Sequence, residues 1–215
     1  MNNKYKFTFK KAIFHFITIC KHKYFVFINC CKCGIPWRGF MHDWSKFSPT
    51  EFLSNVKYTK PGISPIDVQK SEFGYAPAWM HHKGHNPHHH VYWMDRFDEG
   101  CYVTRMPYKY AVEELCDILA ANRTYTKKKS YKAVYLWWSE KRKTEAIHPD
   151  IREFFDDIFT SLKEIESGEY RLPNITEKDI LNEEHLKFVY GYIIKDSKYN
   201  HQELLSKVLE DAKNL

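Results

Sequence analysis

The sequence predicts an all-α fold. Apolar residues recur at helical spacing between proline and glycine breaks, and no convincing run alternates apolar with polar residues as a half-buried strand would. The 215 residues include only eight glycines and nine prolines, too few for a turn-rich β protein. Aromatic residues at 17% supply the volume for a sizeable core. The length fits one domain with a helical appendage. We divide it into a helical metal-binding domain over residues 1–165 and a C-terminal helical extension over 166–215, packed on the same domain.

A first helix is expected over Phe9–Cys30, stopped by the Cys33-Gly34-Ile35-Pro36 turn. A short second helix takes Arg38–Lys46. Ser48, Pro49 and Glu51 supply the N-cap, first-turn proline and N3 acid of a third. Residues 58–67 hold Lys60-Pro61-Gly62 and Ser64-Pro65 and form a loop. Helix resumes over Val68–His82, breaks at Gly84, Asn86 and Pro87, and restarts near Pro87 to reach Phe97. Pro107 leads the clearest helix, whose Ala111, Leu115, Ile118 and Leu119 make an apolar stripe. Tyr131–Arg142 reads as an aromatic helix, and His148-Pro149 opens another that Gly168 stops. After Pro173, Thr176 with Asp179 resembles a capping box, and two helices follow, Glu177–Ile194 and Asn200–Lys213.

The N-terminus is basic over Met1–Lys11 and apolar over Ala12–Cys20, as a signal peptide would be. His15 interrupts that run, Lys21, His22 and Lys23 end it, and no small-residue cleavage site follows. The apolar stretch Tyr24–Cys31 does not join the first into an 18-residue span. We therefore expect a buried or amphipathic helix, no transmembrane segment and a cytoplasmic protein, with a peripheral membrane anchor as the alternative. The net charge of +6 favours anionic partners but is too modest to be a firm nucleic-acid signal. A homo-oligomer is compatible with the sequence. Cys30 and Cys33 have C-x-x-C spacing without a second pair, so we read reduced cysteines packed near a helix end.

Chemistry concentrates in the histidines. Six of the 12 lie between His81 and His90, and His42 is followed by Asp43. Imidazole and carboxylate are ligands for zinc and the first-row transition metals. Lys46 follows His42 by four residues and returns to the same helical face, where its point charge can meet phosphate. His22 is the first choice for an N-terminal ligand, since a hairpin closed at Gly34-Pro36 brings it against His42. His81, His82 and His89 are the preferred members of the dense tract; His85 and His88 have the weakest case, and His90 reads as a substrate contact or supporting donor. Asp117, embedded between Cys116 and Ile118 in a packed helix, needs a partner. Glu113 and Glu114 compete with it, or one of them polarises a water or holds a ligand histidine.

With His22, His42-Asp43 and Asp117 in order on successive helices, the chain resembles the HD-domain superfamily of metal-dependent phosphohydrolases. The resemblance implies an HD-domain-like helical bundle with additional C-terminal helices. It also implies a metal site built from His22, His42, Asp43 and Asp117. Lys46, His81, His82 and His89 look like the additions of two-metal branches. The segments GIPWRGFMHDWSKFSPTEF, AWMHHKGHNPHHHVYW and MPYKYAVEELCDILAAN are also similar to a small bacterial and phage group known only as a domain of unknown function, over about residues 10 to 165.

The expected activity is hydrolysis of a nucleotide or other small phosphorylated molecule by water activated on one or two divalent ions, Mn, Fe, Mg or Zn. Asp43, Lys46, His90 and Glu114 are the expected catalytic residues. Arg38, Lys83, Arg96 and Arg105 are the expected phosphate contacts. An iron or manganese oxygenase on a helical scaffold and a non-catalytic, metal-stapled interaction protein are the alternatives.

Overall fold

The computed structural model describes residues 5–97 and 100–198, without the side chains of Arg96, Phe97 and Cys101. It is a helical bundle. Helix α1 (Phe9–Lys32) starts where the Thr8 hydroxyl accepts from the Lys11 N–H at 3.2 Å. It ends at Gly34, whose φ of 76° is left-handed, and the Ile35 N–H closes the turn on the Cys30 carbonyl at 2.9 Å. The chain folds straight back into α2 (Pro36–Met41). Gly39 permits this tight return: a Cβ there would lie 2.6 Å from Cys30 Cβ.

The expected helix over Arg38–Lys46 is broken. After Met41 the chain leaves helical geometry at His42, and Asp43 takes a left-handed conformation (φ 55°) before a 3₁₀ turn at Trp44–Phe47. Helix α3 (Pro49–Tyr58) begins with the Ser48 cap and Pro49, as the sequence indicates. The next expected helix is split in two. Gly74, at φ 76°, ends α4 (Pro65–Phe73), and Pro77 opens α5 (Pro77–His85).

The expected helix from Pro87 to Phe97 is absent. A 3₁₀ turn at His90–Trp93 leads into an antiparallel hairpin, β1 (Met94–Phe97) and β2 (Gly100–Val103), in register from Met94↔Val103 to Phe97↔Gly100. Strands of four residues are too short for alternation to register as a periodic signal.

Helix α6 (Tyr108–Thr126) crosses α1 and forms the spine of the core. Its Ala111, Val112, Leu115, Cys116 and Leu119 pack with Val26 and Cys30 of α1. Helices α7 (Tyr131–Lys141) and α8 (Pro149–Ser167) close the other side through Trp138, Phe154, Phe155 and Phe159. The expected Glu177–Ile194 helix is two: α9 (Glu177–Ile180), with its Thr176–Asp179 capping box, and α10 (Glu183–Asp196), restarted by an Asn182 cap. Both pack on α8, and α10 also reaches α6. The expected Asn200–Lys213 helix lies outside the described residues. Cys30 and Cys33 are buried and reduced beside Cys116, whose sulfur is 3.7 Å from that of Cys33. Among the described residues no helix is long and apolar enough to cross a membrane.

Candidate metal centre

The α1–α2 hairpin sets the first contact of the site. His22 lies on the buried face of α1, with His15, Ile19, Val26 and Cys30. The tight turn brings its ring to 5.6 Å from that of His42. Adjacent residues within a helix diverge by about 100°. The break after Met41 and the left-handed Asp43 remove that divergence, so His42 and Asp43 both aim inward. A non-glycine residue at positive φ is uncommon and concentrates at functional sites. Helix α6 supplies Asp117 from above, with Asp117 Oδ1 2.9 Å from His22 Nε2.

Asp43 is the centre of the cluster, 1% exposed. One carboxylate oxygen, Oδ2, faces His42 Nε2 at 3.0 Å and His22 Nε2 at 3.7 Å. The other, Oδ1, faces His82 Nε2 at 3.2 Å and His88 Nε2 at 3.4 Å. His89 completes that side, its Nε2 2.9 Å from His82 Nε2. Two ring nitrogens this close either share a proton or share a cation. Three sets of donor atoms lie close enough to hold an ion: Asp43 with His82, His88 and His89; His22 with His42 and Asp43; and His42 with His88 and Glu113.

The donor chemistry fits a divalent cation. His22 Nε2, His42 Nε2, His88 Nε2 and both oxygens of Asp43 are buried with no hydrogen bond of normal geometry, and all five point into the cluster. Buried polar atoms are almost always satisfied. Imidazole nitrogens and carboxylate oxygens converging at this density, and meeting chiefly one another, Asp117 and Lys46, form a donor set that a divalent cation can take up.

Surrounding carboxylates hold the rings in place. Glu113, fully buried, faces His42 Nδ1 at 3.0 Å and His88 Nδ1 at 3.3 Å. Glu51 faces His82 Nδ1 and His81 Nδ1, each at 2.8 Å. A carboxylate on Nδ1 fixes the tautomer that presents the Nε2 lone pair inward. Asn86 and Ser45 add further bonds to His82.

Charge is balanced inside the cluster. Asp43, Asp117 and Glu113 are three buried acids. Burial opposes their ionisation, but the facing histidines, with Lys46 at Asp43, hold Asp43 and Asp117 well below the usual carboxylate range and Glu113 at about 2. Burial also opposes the charge of His42, but Asp43 and Glu113 outweigh it and lift the imidazole to about 10. Lys46 Nζ lies 2.5 Å from Asp43 Oδ2, and Arg38 lies 2.5 Å from Glu113 Oε2. Burial and neighbouring positive charge lower His22 and His89, which stay neutral.

Of the residues singled out in the sequence, His22, His42, Asp43, Lys46, His82, His89 and Asp117 come together. His81 stands outside: it bonds Glu51, stacks on His85 at 4.0 Å, and its side chain is 28% exposed. One residue along α5 turns it about 100° from His82. His88 takes the inward place instead, since the turn after α5 carries it toward Asp43. Arg38 is held by Glu113 and lies over the Tyr110 ring, and Arg105 is held by Asp150 at 2.6 Å. Lys83 is half-buried on α5, and the Arg96 side chain lies outside those described. His90 and Glu114 pair at 2.6 Å, with Glu145 on the far ring nitrogen at 3.2 Å.

Two supporting residues, Glu51 and Tyr125, escape the sequence reading in these roles, whereas Glu113 is among the acids expected to hold a ligand histidine. Glu51 reads as a cap acid, yet its carboxylate goes to the histidines. Glu113 is one residue from the Glu114 chosen in its place. Tyr125 feels the charges of Lys46 and Asp117 and bonds Ser64; burial, the main cause, raises its hydroxyl.

A buried His/Asp/Glu cluster able to chelate a divalent metal ion is therefore present. Comparisons with curated proteins and with solved structures return no match. One family model matches, over residues 11–161, a span that runs from α1 into α8 and includes every member of the cluster. The chain belongs to that family, described as a family of unknown function (DUF5662).

Proposed function

We propose that the protein is a metal-dependent phosphohydrolase of HD-domain type, acting on a nucleotide or other small phosphorylated substrate. One buried carboxylate carries this reading. Asp43 turns one oxygen to His22 and His42 and the other to His82 and His88, the placement of a ligand bridging two cations. His22, His42, Asp43 and Asp117 would hold one ion, and Asp43, His82, His88 and His89 the other. Mn, Fe, Mg or Zn in these positions supplies Lewis acidity, polarising a phosphoryl oxygen and lowering the pKa of a water.

The chain's own groups do the rest. Glu113 and Glu51 accept from the histidine Nδ1 groups and keep the Nε2 lone pairs inward. Lys46 now neutralises Asp43; with that charge taken up elsewhere, its ammonium turns to a phosphate oxygen and stabilises charge on the transferring group. Lys83 and Arg96 remain as further phosphate contacts, because Arg38 and Arg105 are committed to Glu113 and Asp150. His90, held between Glu114 and Glu145, positions the His88-His89 turn rather than passing a proton. The C-terminal helices serve as an extension of the same domain.

The test is a panel of nucleotides, cyclic nucleotides and phosphate esters, with metal-loaded protein and Asp43→Ala as control. Phosphate release or diester cleavage that disappears in Asp43→Ala supports the reading. No cleavage across the panel by protein holding stoichiometric metal contradicts it, and oxygen consumption by the iron-loaded protein would favour an oxygenase.

A further inference from the structure

Helix α1 has a second face that the core does not use. Its buried residues are His15, Ile19, His22, Val26 and Cys30. Phe9, Ile13, Phe16, Cys20, Tyr24 and Phe27 recur at spacings of three and four and are all exposed, Phe9 by 82% and Tyr24 by 60%. At 100° per residue they fall within one narrow stripe, about 120° from the buried face. From Phe9 to Phe27 this stripe runs about 27 Å along the helix. An apolar groove of about 520 Å³ between α1 and α2 widens it, lined by Phe16, Phe27, Phe40 and Trp44. Trp37, stacked on Phe40 at 5.7 Å, projects beside the groove. Scattered exposed apolar residues are ordinary, but a contiguous patch of this extent marks a contact surface.

The charge around this face identifies what covers it. Residues 1–42 carry eight lysines and arginines and no aspartate or glutamate, so the remaining 173 residues carry a net −2 of the chain's +6. Lys10 and Lys21 stand 11 residues, three helical turns, apart along one edge of the stripe, while Lys32, next at that spacing, pairs with Glu177 at 3.4 Å. Tryptophan and tyrosine over a basic amphipathic helix suit the boundary between lipid headgroups and acyl chains. A second copy of the chain fits poorly. Pairing stripe to stripe would bring two acid-free basic segments together without a counter-charge.

We infer that the exposed face of α1 and α2 docks the protein on an anionic phospholipid surface, with the aromatic stripe in the headgroup boundary and Lys10 and Lys21 on the phosphates. The helix lies along the surface and does not cross it, consistent with its hydropathy. The inference is independent of the chemistry at Asp43.

Vesicle co-sedimentation of the full chain tests it. Vesicles of phosphatidylcholine with about 30% phosphatidylglycerol should bind at least about ten times more protein than pure phosphatidylcholine, and about 0.5 M salt should remove most of the difference. The Ile13→Glu/Tyr24→Glu double variant should lose at least about tenfold in binding while keeping its helical circular dichroism and metal content, because both side chains face solvent. Lys10→Glu/Lys21→Glu should lose anionic selectivity. Equal binding to neutral and anionic vesicles, or no binding to either, overturns the inference. So does a stable dimer in solution that Ile13→Glu/Tyr24→Glu converts to monomer, or binding to an oligonucleotide in place of vesicles.

Discussion

On one flank of Asp43 the candidate ligands stand on long core helices: His22 in the middle of the 24-residue α1 and Asp117 in the 19-residue α6. On the other flank, His82 stands on the nine-residue α5, and His88 and His89 follow in the turn beyond it. Packing of Val26, Cys30, Leu115 and Cys116 fixes the first flank. Local hydrogen bonds fix the second: Asn86 to the His82 carbonyl at 2.7 Å and to the Ser45 hydroxyl at 2.8 Å, and Glu51 to His82. The helix-borne flank draws its rigidity from the whole fold, while the turn-borne flank depends on a few polar contacts. Both need Asp43, and the two should respond differently to every change that does not touch it.

Asp43→Ala should have the largest effect, since it removes the anion common to both flanks. Metal content, read by elemental analysis, should fall to background and any phosphatase activity with it. Retention of full metal would break the idea of a shared ligand. Next come the single-flank variants. His22→Ala should remove about one ion's worth of metal and leave the turn-borne set able to bind, and His82→Ala should do the converse. Equal and complete loss in both would mean that the flanks form a single site.

Smaller effects separate the supporting acids. Removing a carboxylate that holds a ligand histidine typically costs about 10–100-fold in metal affinity. Glu51→Gln should weaken only the turn-borne ion by that amount. Glu113→Gln should weaken both, because Glu113 touches His42 and His88. Competition titration with a metal-indicator dye distinguishes the two patterns.

The smallest effect belongs to His90, next to the turn-borne flank. Its bond to Glu145, against the opposing effect of burial, holds that carboxyl at about 2. Burial opposes the His90 charge, but Glu114 and Glu145 lift the imidazole to about 10. The glutamate's contribution is present above its unfolded value of about 4.3 and fades as pH falls toward 2. The histidine's is complete below about 6.5 and is lost as pH rises through 10. His90→Ala should therefore destabilise the protein most between about pH 4.5 and 6.5, by about 2 kcal/mol, the scale of hydrogen bonds to charged groups. Thermal melts of the two proteins across pH 3–9 check this, and a difference that does not vary with pH would contradict the pairing.

The same contrast explains what could be read from sequence. His22 and Asp117 stand out because a polar residue inside a packed helix needs a partner, and His42 because it adjoins Asp43. The order of the long helices was legible for the same reason. The turn-borne flank follows no period. His81 and His88 exchange places because a turn of a few residues decides which ring points inward, and spacing carries no such information. Asp43 sharing a focus with His42 depends on a left-handed backbone at one residue, which no propensity of the segment MHDWSKF announces. The hairpin at 94–103 escaped because its strands are four residues each. The splits at Gly74 and Asn182 follow from caps that outweighed the continuing apolar pattern.

The account rests on Asp43 as one carboxylate between two cation positions, and the number of divalent ions per chain tests this most directly. The intact protein, loaded separately with manganese, iron or zinc and freed of excess metal, should retain two ions per chain for at least one of them. Retention of one ion per chain or fewer under every loading would contradict the account.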